Sequence, residues 1–428
     1  MKIWDKGFDT HSLVDRFTTG QDHILDLKLA KHDIKASGAH ATMLEHIGLL
    51  TVEELEQILN VLELLDKEVA EGTFSIEPPF EDVHSKLEHE LVQRIGDAGK
   101  KIHTARSRND QVLVALHLYV KEEIKAIRAL IEQLFQTLMG LANTHRDVLI
   151  PGYTHMQVAM PSSFGLWFSA YAESLIDDLI LLKAAFEVAD QNPLGSAAGY
   201  GSSFPINRTM TTELLGFSVL KYNVVAAQMS RGKLEKTMAF ALSSVSGTIG
   251  KLSSDLCLYM SQNFGFISFP KELTTGSSIM PHKQNPDVFE LLRAKSNKIQ
   301  NLPAEIGLIT SNLSSGYHRD LQLLKESLVQ GIDTVKDNLE VCDFMLQHIQ
   351  VNSCVLENPI YDYLYSVEEV NRLVTAGMSF RDAYQKLGKQ ILEGNFNPEK
   401  TVNHSHEGSI GNLCLEKIQL KYDQHKEF

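Results

Sequence analysis

Apolar residues recur through the middle of this chain at helical spacing. One stripe, Val112, Leu116, Val120, Ile124, Ile127, Ile131, Leu134 and Leu138, continues for roughly eight turns. At 1.5 Å per residue, such a helix is about 45 Å long. The same texture returns from about Ser162 to Asp190, and again through Leu234, Met238, Leu242, Val245, Ile249, Leu252 and Leu256. It appears twice more, behind Pro286 through Val288, Leu292, Ile299, Leu302, Ile306, Ile309 and Leu313, and from about Asp320 to Ile349. Five long helices with wide apolar stripes bury one another most readily as a bundle, with area left for neighbouring subunits. The expectation is an all-α protein. An elongated central bundle occupies residues 106–355, with smaller helical domains over 1–105 and 356–428.

Local signals support the flanking domains. Thr51 and Glu54 form a capping-box pattern ahead of Leu55, Ile58, Leu59, Leu62 and Leu65, and the stretch from Gly72 to Pro79 breaks that helix. Shorter helices are expected over Val367–Thr375 and Arg381–Leu392, before a polar tail.

Composition sets limits on function. Of the 428 residues 43% are hydrophobic, ample for a large core, and the formal charge of −14 argues against a broad nucleic-acid surface. A local cationic pocket inside an acidic chain is still compatible with an anionic metabolite. Cys257, Cys342, Cys354 and Cys414 are scattered, without the spacing of a disulfide framework or a zinc site, and no metal is expected. Met1–Gly20 carries Asp5, Lys6, Asp9, Asp15 and Arg16 without an apolar run, and no segment approaches a membrane span, so a cytoplasmic protein is expected.

The chemistry concentrates in four clusters. Gly276-Ser277-Ser278-Ile279-Met280-Pro281-His282-Lys283-Gln284-Asn285-Pro286-Asp287 is a polar loop at the N-terminus of a helix. It offers a hydroxyl (Ser277), a cation (Lys283) and an amide (Asn285) beside free helical N–H groups, a set suited to a carboxylate. By composition alone, a Ser-rich linker closed by an Asn-Pro turn fits as well. His103 to Gln111, with Ser107, Arg108 and Asn109, sits where the first long helix begins and has the same two readings, anion site or capped helix start. Thr154 and His155 follow a Pro-Gly turn, and Glu290, five residues past Asn285, is a candidate to orient the imidazole. Tyr317, Gln322 and Lys325 lie near the start of the fifth helix, with Gln322 and Lys325 sharing a face.

The loop pattern Gly-Ser-Ser-x-Met-Pro-x-Lys-x-Asn-Pro resembles the signature of the fumarase/aspartase superfamily. The four clusters together, in order and spacing, resemble the argininosuccinate lyase family over roughly residues 1–395. The resemblance implies reversible cleavage of argininosuccinate to arginine and fumarate, without metal or organic cofactor, by a homotetramer whose sites are shared between subunits. It implies Ser277 as the base, with Lys283 helping to stabilise its alkoxide. Ser107, Arg108, Asn109, Thr154, Lys283 and Asn285 would hold the fumarate-forming end. His155 paired with Glu290 would serve on the acid side, and Tyr317, Gln322 and Lys325 would hold the amino-acid end of the arginine half.

Seven positions or pairs depart from the family pattern. Asp22 stands where a substrate-contacting serine is expected, and Ala105 where the family has Gly. Gln284 replaces a lysine, Leu323 and Leu324 an acidic pair, and Gly232-Lys233 follow Arg231 where an aspartate is usual. Ser379 and Tyr384 replace a Pro and a His. Summed over the changes nearest the expected site, positive charge rises by about two. That sum raises a second substrate, an argininosuccinate whose α-amine carries a dicarboxylic acyl cap. A different fumarate-releasing lyase, such as adenylosuccinate lyase, shares the signature loop, but the segments around Arg108 and Tyr317 argue against it; a non-catalytic helical homologue is a remoter alternative, against which the retention of Ser277, Lys283, Asn285, His155 and Glu290 argues.

Overall fold

The computed structural model describes residues 11–78 and 80–428. The first ten residues, part of the charged N-terminal stretch, and Pro79, at the end of the expected break, lie outside the described residues. The chain is built mainly of helices, the principal ones being α1 (Ala30–His46), α2 (Val52–Ala70), α3 (Val83–Ile95), α4 (Arg108–Thr144), α5 (Phe164–Ala189), α6 (Lys233–Met260), α7 (Asp287–Ile299), α8 (Leu302–Ile309), α9 (Leu324–Leu346), α10 (Ser366–Thr375), α11 (Phe380–Leu392) and α12 (Leu415–His425), with further short helices and turns between. Strands among the described residues form only two-stranded pairs. Two of these pairs bear on function: the hairpin β1 (Leu149–Thr154) with β2 (Gln157–Ser163), and the short ladder β3 (Thr275–Gly276) with β4 (Gln284–Asn285).

The periodicity dictates burial as expected. On α4, Leu116, Val120, Ile124, Ile127, Ile131, Leu134 and Leu138 are all at most 1% exposed. Burial of each such side chain contributes about 1.5–3 kcal/mol, so this one stripe supplies a large share of the driving force. On α6, the stripe from Leu234 to Leu256 is buried in the same way. The capping box at Thr51 is formed in both directions, Thr51 N donating to Glu54 and Glu54 N to Thr51 Oγ1.

The fourth long helix differs from the expectation. Its stripe continues through buried Leu302 and Ile306, yet the helix stops at Ile299 and restarts at Leu302 with Pro303 in its first turn. Proline lacks the N–H that a continuous helix would use, and its ring clashes with the carbonyl four residues back, so α7 and α8 are separate.

Two compact units result. The first comprises the described residues up to Ile127, together with Leu181–Ser243 and Asn301–Thr334. In it α1, α2 and α3 enclose a core around Leu44, Ile58, Leu65, Val83 and Leu87, and a second cluster joins Val114 and Leu118 of α4 to Leu194, Leu215 and Phe217. The second unit comprises Arg128–Ile180, Ser244–Gln300 and Val335–Phe428. There Phe135 stacks on Tyr422 with ring centroids 4.0 Å apart, and Val370, Ala383 and Leu387 form the core of α10 and α11. Among the described residues no helix is long and apolar enough to cross a membrane.

Candidate active site

The first unit contains a cavity of about 330 Å³. Arg108, Asn109 and Val112 project into it from one face of the first turns of α4. Val112 is the stripe residue that is only half-buried, because it faces this cavity and not the core. Ser107 caps the helix beneath them: its Oγ accepts from Asn109 N at 3.3 Å, and its N–H donates to Asp110 Oδ1 at 2.9 Å. The other oxygen of Asp110 accepts from Gly195 N and Ala197 N, which anchors the start of α4 to the 190s loop.

Arg108 is held from the opposite wall. Its Nε lies 3.1 Å from Asp82 Oδ2 and its Nη1 3.3 Å from Glu81 Oε2. Asp82 is the N-cap of α3, accepting from Ser85 N at 2.9 Å. Burial alone would raise its pKa, but His84, Arg108 and the Ser85 hydrogen bonds outweigh that and hold it below the usual carboxylate range.

Tyr317, Gln322 and Lys325 line the third wall. Gln322 sits in the tight turn Arg319–Leu323, where its Nε2 donates to the carbonyls of Thr18 (3.0 Å) and Thr19 (3.2 Å). Lys325, in the first turn of α9, is 4% exposed, with Nζ 2.6 Å from Asp26 Oδ1 and 2.8 Å from Asp22 Oδ1. Burial alone would lower the lysine's pKa; the charges of Asp26 and Asp22 reverse the direction and raise it. Asp22 is itself raised, first by burial and then by the neighbouring charges of Asp26 and Asp82, against the pull of Lys325. Two carboxylates around one ammonium leave the group net negative.

The cavity thus brings together Arg108, Asn109, Tyr317, Gln322 and Lys325, with Ser107 directly behind them. Thr154, His155, Ser277, Lys283, Asn285 and Glu290 all belong to the second unit. Thr154 ends β1, and His155 and Met156 form the two-residue turn to β2, with φ of 52° and 59°. Two successive left-handed residues make a type I′ turn, a conformation that favours Asn-Gly and costs a β-carbon-bearing pair. The turn leaves the imidazole exposed at the hairpin tip.

The signature loop is pinned at its base by the β3–β4 ladder, pairing Thr275 with Asn285 and Gly276 with Gln284. Asn285 Nδ2 reinforces the closure, donating to Gly276 O at 3.3 Å and Thr275 Oγ1 at 3.4 Å, and Thr275 Oγ1 donates to Asp287. Inside the loop, Ser277 Oγ accepts from Met280 N at 3.2 Å and Ile279 N at 3.4 Å. Donors aimed at an oxygen favour its anionic form. Lys283 is exposed, and Glu290 is exposed one turn into α7. Within the chain no hydrogen bond or ion pair among the described residues joins His155 to Glu290, or the hairpin tip to the signature loop.

Sequence reasoning missed Asp26, Glu81 and Asp82. Only the N-cap pattern Asp82-x-x-Ser85 gave a local signal, and it speaks of a helix start, not of a partner for Arg108. Of the departures from the family pattern, Asp22 alone lines the cavity. Leu324 is buried and Leu323 exposed away from the lining; Lys233 and Gln284 are exposed elsewhere; Ser379 caps α11 and Tyr384 lies on its surface. The change within this cavity is therefore one added carboxylate.

The sequence model of a family described as Lyase matches residues 10–301. The argininosuccinate lyase of Bacteroides thetaiotaomicron is 56% identical over 423 residues, 99% of this chain and 95% of that protein. This chain belongs to the argininosuccinate lyase family. Another member, from Thermotoga neapolitana, is 42% identical over 389 residues, 91% of this chain and 98% of its own length. Among solved structures, the class II fumarase of Schistosoma mansoni superposes with a TM-score of 0.76 at 16% identity, covering 96% of this chain and 91% of that one. EDDS lyase in complex with formate gives 0.73 at 22% identity, covering 90% and 78%. At those identities the likeness is one of fold, a mainly helical one.

Proposed function

We infer that the chain cleaves argininosuccinate to arginine and fumarate. The observation that supports this most directly is the cavity, where Arg108, Asn109, Tyr317, Gln322 and Lys325, far apart in sequence, surround one volume in a chain of this family. In the proposed reaction, Ser277 as its alkoxide takes the proton from the carbon beside the succinyl carboxylate. The C–N bond electrons leave with the guanidino nitrogen, which receives a proton from the His155 side directly or through water.

A serine hydroxyl is a weak base unless its oxyanion is stabilised. The two amides on Ser277 Oγ supply part of that stabilisation, and Lys283 on the same loop the rest. The developing aci-carboxylate needs fixed donors and cations, the role assigned to Lys283, Asn285, Thr154, Ser107, Arg108 and Asn109. Glu290 orients and charges His155 from another subunit, in a cytoplasmic homotetramer whose sites combine residues of several chains.

Release of fumarate, followed by its ultraviolet absorbance on adding argininosuccinate, tests the reaction. The Ser277→Ala variant is expected to keep substrate binding and lose turnover by at least about a hundredfold, the typical contribution of a positioned base. Near-normal turnover by that variant removes Ser277 from the role.

A further inference from the structure

We propose that Tyr153 is a positioning residue: its ring, seated on Phe264 and Phe266, fixes the hairpin tip that carries His155 in the orientation that proton delivery requires. The inference rests on the reading of His155 as the acid-side group. Three observations carry it. First, the hairpin is firmly packed at its base, where Ile150 and Ser163 are at most 1% exposed, but that order stops short of the tip. Between Pro151 and Tyr153 the register shifts and Gly152 is the extra residue; a β-carbon there would lie 2.8 Å from Met160 O. Such a bulge bends the strand and disrupts the ladder, so the ladder alone does not carry the order of the base outwards. Second, beyond the bulge the pairing consists of Tyr153 with Val158 and Thr154 with Gln157; Val158 is half-buried, and Thr154, His155, Met156 and Gln157 are all exposed. Third, Tyr153 supplies an anchor there. Its ring centroid lies 5.4 Å from that of Phe264 and 6.5 Å from that of Phe266, both in the segment that follows α6.

The platform under Tyr153 is itself tied down. Phe264 N and Gly265 N both donate to Ser261 O, at 3.0 and 2.8 Å, and Phe266 N donates to Tyr259 O at 2.9 Å, which closes the chain back on the end of α6. Phe266 has no exposed surface and packs edge-on against Phe264 and Tyr361, with centroids 5.2 and 6.2 Å away. Burial, and after it the neighbouring Tyr361 hydroxyl, push the Tyr153 phenol up from its ordinary value, as expected of a hydroxyl turned into the body of the unit. The tip needs such an anchor, because two successive left-handed residues with β-carbons persist only where the surrounding structure imposes them. A group that protonates a leaving nitrogen, directly or through one water, must also be held in place, and a tip that swings by about 1 Å delivers its proton poorly.

The test measures fumarate release from argininosuccinate by the full-length wild type, by Tyr153→Phe, Tyr153→Ala, Phe264→Leu and His155→Asn, and by Tyr153→Ala and Phe264→Leu each combined with His155→Asn. Tyr153→Phe keeps the ring and is expected to stay within about twofold of wild type in kcat. Tyr153→Ala should lower kcat about ten- to a hundredfold with KM changed far less, the size of effect that a small misplacement of a reacting group produces. In the His155→Asn background the cost of the same substitution should shrink at least about fivefold, because the group that Tyr153 aims is gone. Phe264→Leu, which alters the platform and leaves the hairpin sequence intact, should show the same pattern at smaller size, and it carries the test if Tyr153→Ala folds poorly. Equal losses in the two backgrounds would make the ring merely structural and overturn the inference; so would wild-type kcat in Tyr153→Ala, or a loss in Tyr153→Phe as large as in Tyr153→Ala. Those outcomes leave the lyase reading standing. If His155→Asn alone keeps wild-type turnover, the acid-side reading of His155 falls, and this inference with it.

Discussion

His117 shows how a buried group makes stability depend on pH. It sits on α4 with no exposed surface, and its Nδ1 is 2.9 Å from Ala189 O. A carbonyl can only accept, so it is Nδ1 that carries the proton of the neutral ring. Burial pushes the pKa down to about 4 from an ordinary 6.5, although the Ala189 carbonyl favours the charged ring. The unfolded chain then binds the proton more readily, so the contribution is fully present above pH 6.5 and is lost as pH falls towards 4. From pH 7 to pH 5 this one group is expected to remove about 2 kcal/mol. Urea unfolding of wild type and His117→Gln at both pH values, at fixed protein concentration, checks it: the variant's loss should be smaller by about that amount, and parallel losses would contradict the assignment. Side chains of this kind are poorly legible in sequence. Nothing around His117 announces a carbonyl 72 residues away, and nothing around Asp26 announces Lys325, 299 residues on. Arg108, Tyr317, Gln322 and Lys325 were legible because their clusters resemble a known pattern, whereas the acids that hold two of them are defined only by packing.

At the scale of elements, Ala105 is a departure with a visible cost. It stands at the turn into α4 with φ of 60°, in the left-handed region where a β-carbon meets the following carbonyl. The family's glycine avoids that conflict at the expense of a freer unfolded chain, so Ala105→Gly is expected to stabilise the protein by about 0.5–1 kcal/mol net. The urea midpoint reads this, and a lower midpoint would show that the half-buried methyl group matters more than the strain. The same physics governs what could be read of each element. The helices α4, α5, α6 and α9 were legible because the apolar period persists over many turns. The α7–α8 interruption was hidden because Leu302 and Ile306 keep the period while Pro303 breaks the backbone. The β1–β2 hairpin was hidden as well: its two-residue turn holds His155 and Met156, not the Asn-Gly that signals a type I′ turn.

For the whole molecule, the partition into two units runs inside the long helices, between Ile127 and Arg128 in α4 and between Ser243 and Ser244 in α6. The boundaries expected near 105 and 355 track changes of texture along the chain, and texture does not change at those internal positions. The partition also sorts the chemistry: the cavity residues fall in the first unit, and the hairpin and signature loop in the second. If catalytic sites combine units from different chains, as proposed above, two inactive variants with lesions in different units must complement each other. Arg108→Ala and Ser277→Ala, each purified, mixed in equal amounts, unfolded and refolded together, should regain roughly a quarter of wild-type activity, the share of sites that draw both intact residues from random subunits in a closed assembly. Each variant refolded alone supplies the baseline. If Arg108 and Ser277 serve the same site from one chain, no mixture can assemble an intact site and activity stays at that baseline, which would rule out sharing for this pair of segments.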